Sequence, residues 1–245
     1  MSGHNKWSTI KRKKGATDAK RSKIFSRIIK EINIAVKEGG PDPDGNARLR
    51  LAMNNARGAN MPKENIQRAL SKAKDSSALT EVTYEGYASN GIAVIVEALT
   101  DNPQRTVSNV RSLFSKRGGS LGTNGSVTFM FERKGIITVP KGTINAEEFE
   151  LEIIDAGVED LELQDNIFVI TTAMENFGAV QKKLEQMKIE TENASLQRIP
   201  TETKSLSVDA SIRVLKLIDE FEEDDDVQNV YHNLEVTDEI MEAME

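Results

Sequence analysis

Residues 135–199, GIITVPKGTINAEEFELEIIDAGVEDLELQDNIFVITTAMENFGAVQKKLEQMKIETENASLQRI, decide the fold. The apolar run IITV at 136–139 reads as a strand and is followed by a helical pattern over 147–156. VEDLEL and NIFVITT read as two further strands, 175–187 as a second helix, and a last strand lies near 195–199. The order strand, helix, strand, strand, helix, strand is the ferredoxin-like signature.

Upstream, TEVTYEGYAS and GIAVIVEAL flank Asn90-Gly91, a pair that tolerates the positive φ angles of a tight hairpin turn. A helix starts at Pro103, capped by Asp101 or Asn102, with Val107, Val110 and Phe114 inward. The turn RGGSLGTNGS then leads into SVTFMFERKG, which reads as a strand. Residues 80–133 therefore offer two strands, a helix and a strand. Downstream lie one helix, 207–222, and one strand, DVQNVYHNLEV. If these complete the 80–133 set, residues 134–203 are an insertion in a discontinuous domain.

The N-terminal part is helical. From Asp18 to Lys37, Ile24, Phe25, Ile28, Ile29, Ile32, Ala35 and Val36 fall in one arc of about 140°, which predicts a buried face. Lys20, Lys23, Arg27, Lys30 and Lys37 fall in an arc of about 100° on the opposite side. GGPDPDGN at 39–46 is a turn. In the next helix Leu49, Ala52, Met53 and Ala56 recur on one face, while Arg50, Asn54 and Arg57 stack on another. Pro62 opens a third helix with the stripe Ile66, Ala69, Leu70 and Ala73. The expected architecture is α+β with three domains: a helical bundle at 1–78, then two ferredoxin-like domains, 79–133 plus 204–245 with 134–203 inserted.

Charge is divided as sharply as structure. Residues 1–74 hold 18 Lys/Arg against 6 Asp/Glu, whereas 75–245 hold 14 against 33, so the net of −7 averages a basic module and an acidic remainder. That layout suits a protein that presents one end to a polyanion and keeps the other away from it. Lys11, Arg12, Lys13 and Lys14 are consecutive and reach several phosphates from an extended segment more readily than from one helix face. Trp7, beside Lys6, either anchors this arm or stacks on a base or sugar. The candidate nucleic-acid contacts are Lys6, Trp7, Lys11, Arg12, Lys13, Lys14, Lys20, Arg21, Lys23, Arg27, Arg50 and Arg57.

Enzymatic chemistry finds few tools. With 0 cysteines there is no thiolate and no cysteine-based zinc site. Of 2 histidines, His4 sits in the basic start and His232 in an expected strand, where a local hydrogen bond explains it better than catalysis. The glycine-rich turn lacks the GK[ST] ending of a phosphate-binding loop and precedes a strand. Asp42, Asp44 and Asn46 begin like a calcium loop, but Ala47 and Met53 stand where glycine and glutamate are required. The run Glu222 to Asp226 reads as a solvated helix end rather than a metal site. No enzyme activity, cofactor, resident metal or small-molecule substrate is expected. No apolar run of about 18 residues spans a bilayer, and no secretory segment follows the first charges, which predicts a soluble cytoplasmic protein.

The stretches GHNKWSTIKRKK, TDAKRSKIFSRIIKEI, GGPDPDGNARLRLAMNNARGANMPKENIQRAL, TDNPQRTVSNVRSLFSKRGG, GSVTFMFERKG and DDVQNVYHNL resemble the YebC family, also known as PmpR. That family includes the mitochondrial translational activator of cytochrome oxidase subunit I. The resemblance runs from residue 2 to about residue 236. It implies the three-domain architecture with an insertion, and a cytoplasmic DNA-binding regulator of transcription. Members are also described as translation factors that engage the ribosome. Two partners thus compete for the basic residues, duplex DNA and ribosomal RNA. A third reading is a protein-interaction scaffold whose acidic domains bind basic partners.

Overall fold

The computed structural model describes residues 18–164 and 166–244. Among the described residues the chain packs as two compact units, one formed by residues 18–23, 77–132 and 199–244, the other by Ile24–Ser76 with Arg133–Arg198.

In the first unit β1 (Thr80–Ala88) and β2 (Ile92–Thr100) form an antiparallel hairpin with Ala88 opposite Ile92. Three residues make the turn, and Asn90 (φ 60°) and Gly91 (φ 71°) both adopt the left-handed conformation that selects this pair. Helices α1 (Asp18–Gly39), α2 (Ala47–Gly58) and α3 (Lys63–Lys72) precede this hairpin in the chain and from Ile24 onward belong to the second unit. The hairpin is followed by α4 (Pro103–Lys116), whose Asn102 side chain accepts the Arg105 N–H at 3.1 Å, and by the short β3 (Ser120–Leu121). The C-terminal segment returns as α7 (Val208–Glu223) and β8 (Val227–His232), giving the order β3-β1-β2-β8. Phe114 of α4 meets Phe221 of α7 edge-on at 4.8 Å in a core with Val94, Val96 and Ile218.

The second unit holds β4 (Phe131–Pro140), α5 (Ala146–Ile154), β5 (Val158–Gln164), β6 (Ile167–Ala173), α6 (Phe177–Gln186) and β7 (Asn193–Pro200). Their sheet order β5-β6-β4-β7 places the first and third strands of the segment at the centre, as the ferredoxin-like signature requires. In the first unit the central pair is the β1–β2 hairpin itself, so an equal number of strands is joined in a different order.

Several expectations shift. SVTFMFERKG is not one strand: Thr128–Met130 is a 3-10 turn, and the strand runs unbroken from Phe131 through IITV to Pro140. The cause is the buried Glu85 on β1, whose carboxylate accepts the N–H groups of Gly125 at 2.8 Å and of Val127 and Thr128 at 2.9 Å each, which holds them out of any ladder. The face foreseen on α1 is only partly covered. Ile32, Ala35 and Val36 are buried, but Ile24 is 42% exposed, and Ile34 is buried in the middle of the basic arc. A short acidic helix, α8 (Asp238–Ala243), had no clear periodic signal; Thr237 caps it.

Candidate nucleic-acid interface

The bundle is built around one buried asparagine. Asn46 caps α2 by accepting the Leu49 N–H at 3.0 Å, and its amide donates to the carbonyls of Ala35 at 2.6 Å and Gly40 at 2.9 Å. The side chain that sequence set beside a calcium loop therefore ties the end of α1 to the start of α2. Gly40 (φ 84°) turns the chain between them. The buried core is Ile32, Ala35, Val36, Leu49, Ala52, Ala56, Met61, Ile66, Ala69 and Ala73.

Two acids of α1 are paired with a cation of α2. Arg48 reaches Glu31 at 3.1 Å and Glu38 at 2.9 Å, so the two carboxylates that interrupt the basic run of α1 face a guanidinium rather than an approaching polyanion. Arg48 is correspondingly held in the fold.

Lys6, Trp7, Lys11, Arg12, Lys13 and Lys14 lie outside the described residues, as does His4. Lys20 falls in the first turn of α1. Arg21 is exposed, while Lys23, Arg27 and Lys30 are half-buried, and Lys23 Nζ donates to the Glu223 carbonyl. None of Arg21, Arg27 and Lys30 is free of partners within the fold. Lys23, Arg27 and Lys30 are thus part of a packed face rather than an open stripe. Arg50 and Arg57 are exposed on one face of α2, where Arg57 donates to Asn54 at 3.1 Å.

The structure adds Lys63, Arg68, Lys72 and Lys74, all exposed on or just after α3. The signal was in the sequence: opposite the stripe Ile66, Ala69 and Ala73 the wheel carries Gln67, Arg68 and Ser71, with Lys63 and Lys72 on its two flanks. Glu64 and Asp75 are the exposed acids beside them. Exposed guanidinium and ammonium groups in the same compact unit as Arg50 and Arg57 can approach several phosphates at once.

The other charged cluster has a structural task. Asp226, buried at the start of β8, accepts from Thr106 at 2.9 Å, Thr100 at 3.1 Å and Arg105 at 2.7 Å. These bonds tie β2, α4 and β8 together. Among the described residues no group of three or more His, Cys, Asp or Glu side chains is placed to hold a metal ion. His232 is fully buried in β8 opposite Val94. Among the described residues no helix is long and apolar enough to cross a membrane.

Comparison with known proteins covers nearly the whole chain. Residues 5–76 match the family model for the TACO1/YebC protein N-terminal domain, and residues 79–234 match that for the TACO1/YebC second and third domain. A protein of Chlorobaculum parvum named "Probable transcriptional regulatory protein" is 48% identical over 249 residues, covering 100% of this chain and 99% of its own. One of the same name from Amoebophilus asiaticus is 50% identical, covering 96% and 98%. The crystal structure of a conserved hypothetical protein from Aquifex aeolicus matches with a TM-score of 0.82 at 42% identity, over 91% of this chain and 94% of that one.

Proposed function

Because this chain belongs to the TACO1/YebC family, we propose that it regulates gene expression by binding nucleic acid through its basic N-terminal module, as a DNA-binding regulator of transcription. In this reading residues 1–78 are the binding module, 79–133 with 204–245 the discontinuous α+β domain, and 134–203 the inserted one. The protein works in the cytoplasm without catalysis. The name carried by its relatives supports a regulator.

One observation carries the reading: the 18 Lys/Arg of residues 1–74 face only 6 acids, and two of those acids are held by Arg48. Exposed Arg50, Arg57, Lys63, Arg68 and Lys72 supply phosphate contacts, and the arm Lys6 to Lys14, with Trp7, extends them. Lys20, Arg21, Lys23 and Arg27 contribute from the start of α1. Contacts of this kind position a protein on nucleic acid without reading sequence.

A second reading keeps the surface and changes the polyanion. Residues 75–245 carry 33 acids against 14 cations, which opposes the close approach of a long duplex beside the module. Ribosomal RNA docked by the module alone, with the acidic part turned toward ribosomal protein, avoids that repulsion and makes the protein a translation factor. Titrating the full chain against a short promoter-type duplex and against a ribosomal RNA fragment, at several salt concentrations, separates the two. Tighter, more salt-dependent binding to the duplex supports the transcriptional reading. Tighter binding to RNA moves the function to translation.

A further inference from the structure

We propose that the outer edge of β5 is a docking site for an extended, basic segment of a partner protein, added to the sheet as a fifth strand. The two edges of the β5-β6-β4-β7 sheet are treated differently. At β7, the Asn55 side chain exchanges two hydrogen bonds of 2.8 Å with the Ala194 backbone, and Gly58 lies so near Glu192 that an added Cβ would fall 2.0 Å from its carbonyl oxygen. That edge is occupied by α2. At β5 the only strand neighbour among the described residues is β6, which leaves an outward strand edge over residues 158–163 for another chain.

A merely protected edge carries charge and little else. This one has an apolar rim. Helix α5 lies over β5, and Lys183 of α6 sits 3.8 Å from Glu152, which fixes the flank of α5 that faces α6. Ile154 falls about 160° from Glu152 on the wheel, on the flank of α5 turned away from α6. Ile154 is 55% exposed, Leu151 beside it 74%, and Leu163 on β5 itself 44%. Phe149 and Ile153 of the same helix are buried, so the exposed pair is additional to what the core needs.

Charge selects the occupant. Between Lys141 and Lys182 there are 10 Asp/Glu and no Lys or Arg; on β5 Glu159 is paired with Lys134 at 2.9 Å, so Asp160 and Glu162 are the acids that the edge offers, with Glu147, Glu150 and Asp155 on or beside α5. Pairing β5 with β5 of a second copy sets acid against acid, which disfavours a dimer through this edge. An incoming strand that alternates Lys or Arg with aliphatic residues matches both the acids and the apolar rim. Main-chain bonds give such a strand affinity, and the alternate side chains give it selectivity.

The test uses the full chain with an alternating lysine–valine peptide, against a lysine–proline peptide of equal length and charge that cannot form a ladder. Binding is followed by fluorescence anisotropy, and its location by amide hydrogen exchange. The proposal expects saturable binding of the valine peptide, slowed exchange confined to 158–164, and a loss of roughly tenfold or more in the D160K/E162K variant. No binding, equal binding of the proline peptide, or protection elsewhere would overturn it. So would slowed exchange at 158–164 that depends on protein concentration without peptide, since the occupant would then be a second copy.

Discussion

Asn55 on α2 and Ala194 on β7 exchange two hydrogen bonds of 2.8 Å, the amide of the side chain donating to the backbone carbonyl and its oxygen accepting the backbone N–H. An asparagine here completes the ladder of an edge strand as a neighbouring strand would. Leu51, one turn earlier, packs into the core beneath the sheet, and Gly58, about one turn later, permits the close approach to Glu192. One face of α2 is thereby committed to β7 while Arg50, Asn54 and Arg57 remain on another.

Replacing Asn55 with leucine leaves the Ala194 N–H and C=O without these partners and is expected to lower stability by about 1–3 kcal/mol. Urea denaturation of the variant and wild type checks this. Gly58→Ala is expected to be at least as damaging, because its Cβ meets the backbone oxygen of Glu192 rather than a flexible side chain that can move aside.

Glu85 predicts a pH dependence with a definite sign. Burial pushes its carboxyl up, but the N–H groups of Gly125, Val127 and Thr128, helped by the Thr128 hydroxyl, outweigh that and hold it below its ordinary 4.5. A lowered folded pKa means the stabilisation is present above the unfolded value and is lost as pH falls through the folded one. Glu85→Gln is expected to cost about 1–3 kcal/mol near neutral pH. Denaturation from pH 7 downward should show the gap between wild type and variant closing only below the ordinary carboxylate range.

Asp226 separates structure from chemistry. Asp226→Ala strands Thr100, Thr106 and Arg105 and is expected to destabilise by about 3 kcal/mol. Its affinity for nucleic acid, measured below the lowered melting point, is expected to stay within about twofold of wild type, since the bonds it loses are internal. A large loss of affinity would instead make the acidic end of α7 part of the binding site.

The ferredoxin-like order of residues 131–200 was legible because its strands and helices keep clean periods, and because the core residues Ile137, Phe149, Phe168 and Val180 occupy the positions those periods mark. Period alone misjudged places where a side chain far along the chain competes for the backbone. Glu85 draws 125–128 out of a strand pattern across 40 residues or more, a link that no local window contains. The same applies to α1, where Ile34 is buried within the arc that the wheel assigns to cations. Of the foreseen phosphate-binding side chains, Arg50 and Arg57 are exposed, while Lys23 is engaged by the Glu223 carbonyl. The α3 cations are spaced among Gln67, Ser71 and the apolar stripe, so they lack the density of charge that marks the arm, and their exposure singles them out instead. The acids of the β5 edge were visible as composition. Their position beside an unpaired strand needed the sheet order.

The most direct test of the central claim is the affinity of wild type and the R50E/R57E/R68E variant for duplex DNA and for ribosomal RNA, each measured across a salt series. These three side chains are exposed, so the variant should fold as wild type does. The account predicts that log affinity falls linearly with log salt, by about 0.9 per neutralised phosphate on duplex and about 0.7 on single strands. It predicts for the variant roughly tenfold or more weaker binding, with a salt slope reduced by about one for each phosphate that is no longer neutralised. Unchanged affinity and slope on both nucleic acids would contradict a basic binding module and return the function to the acidic domains and their protein partners.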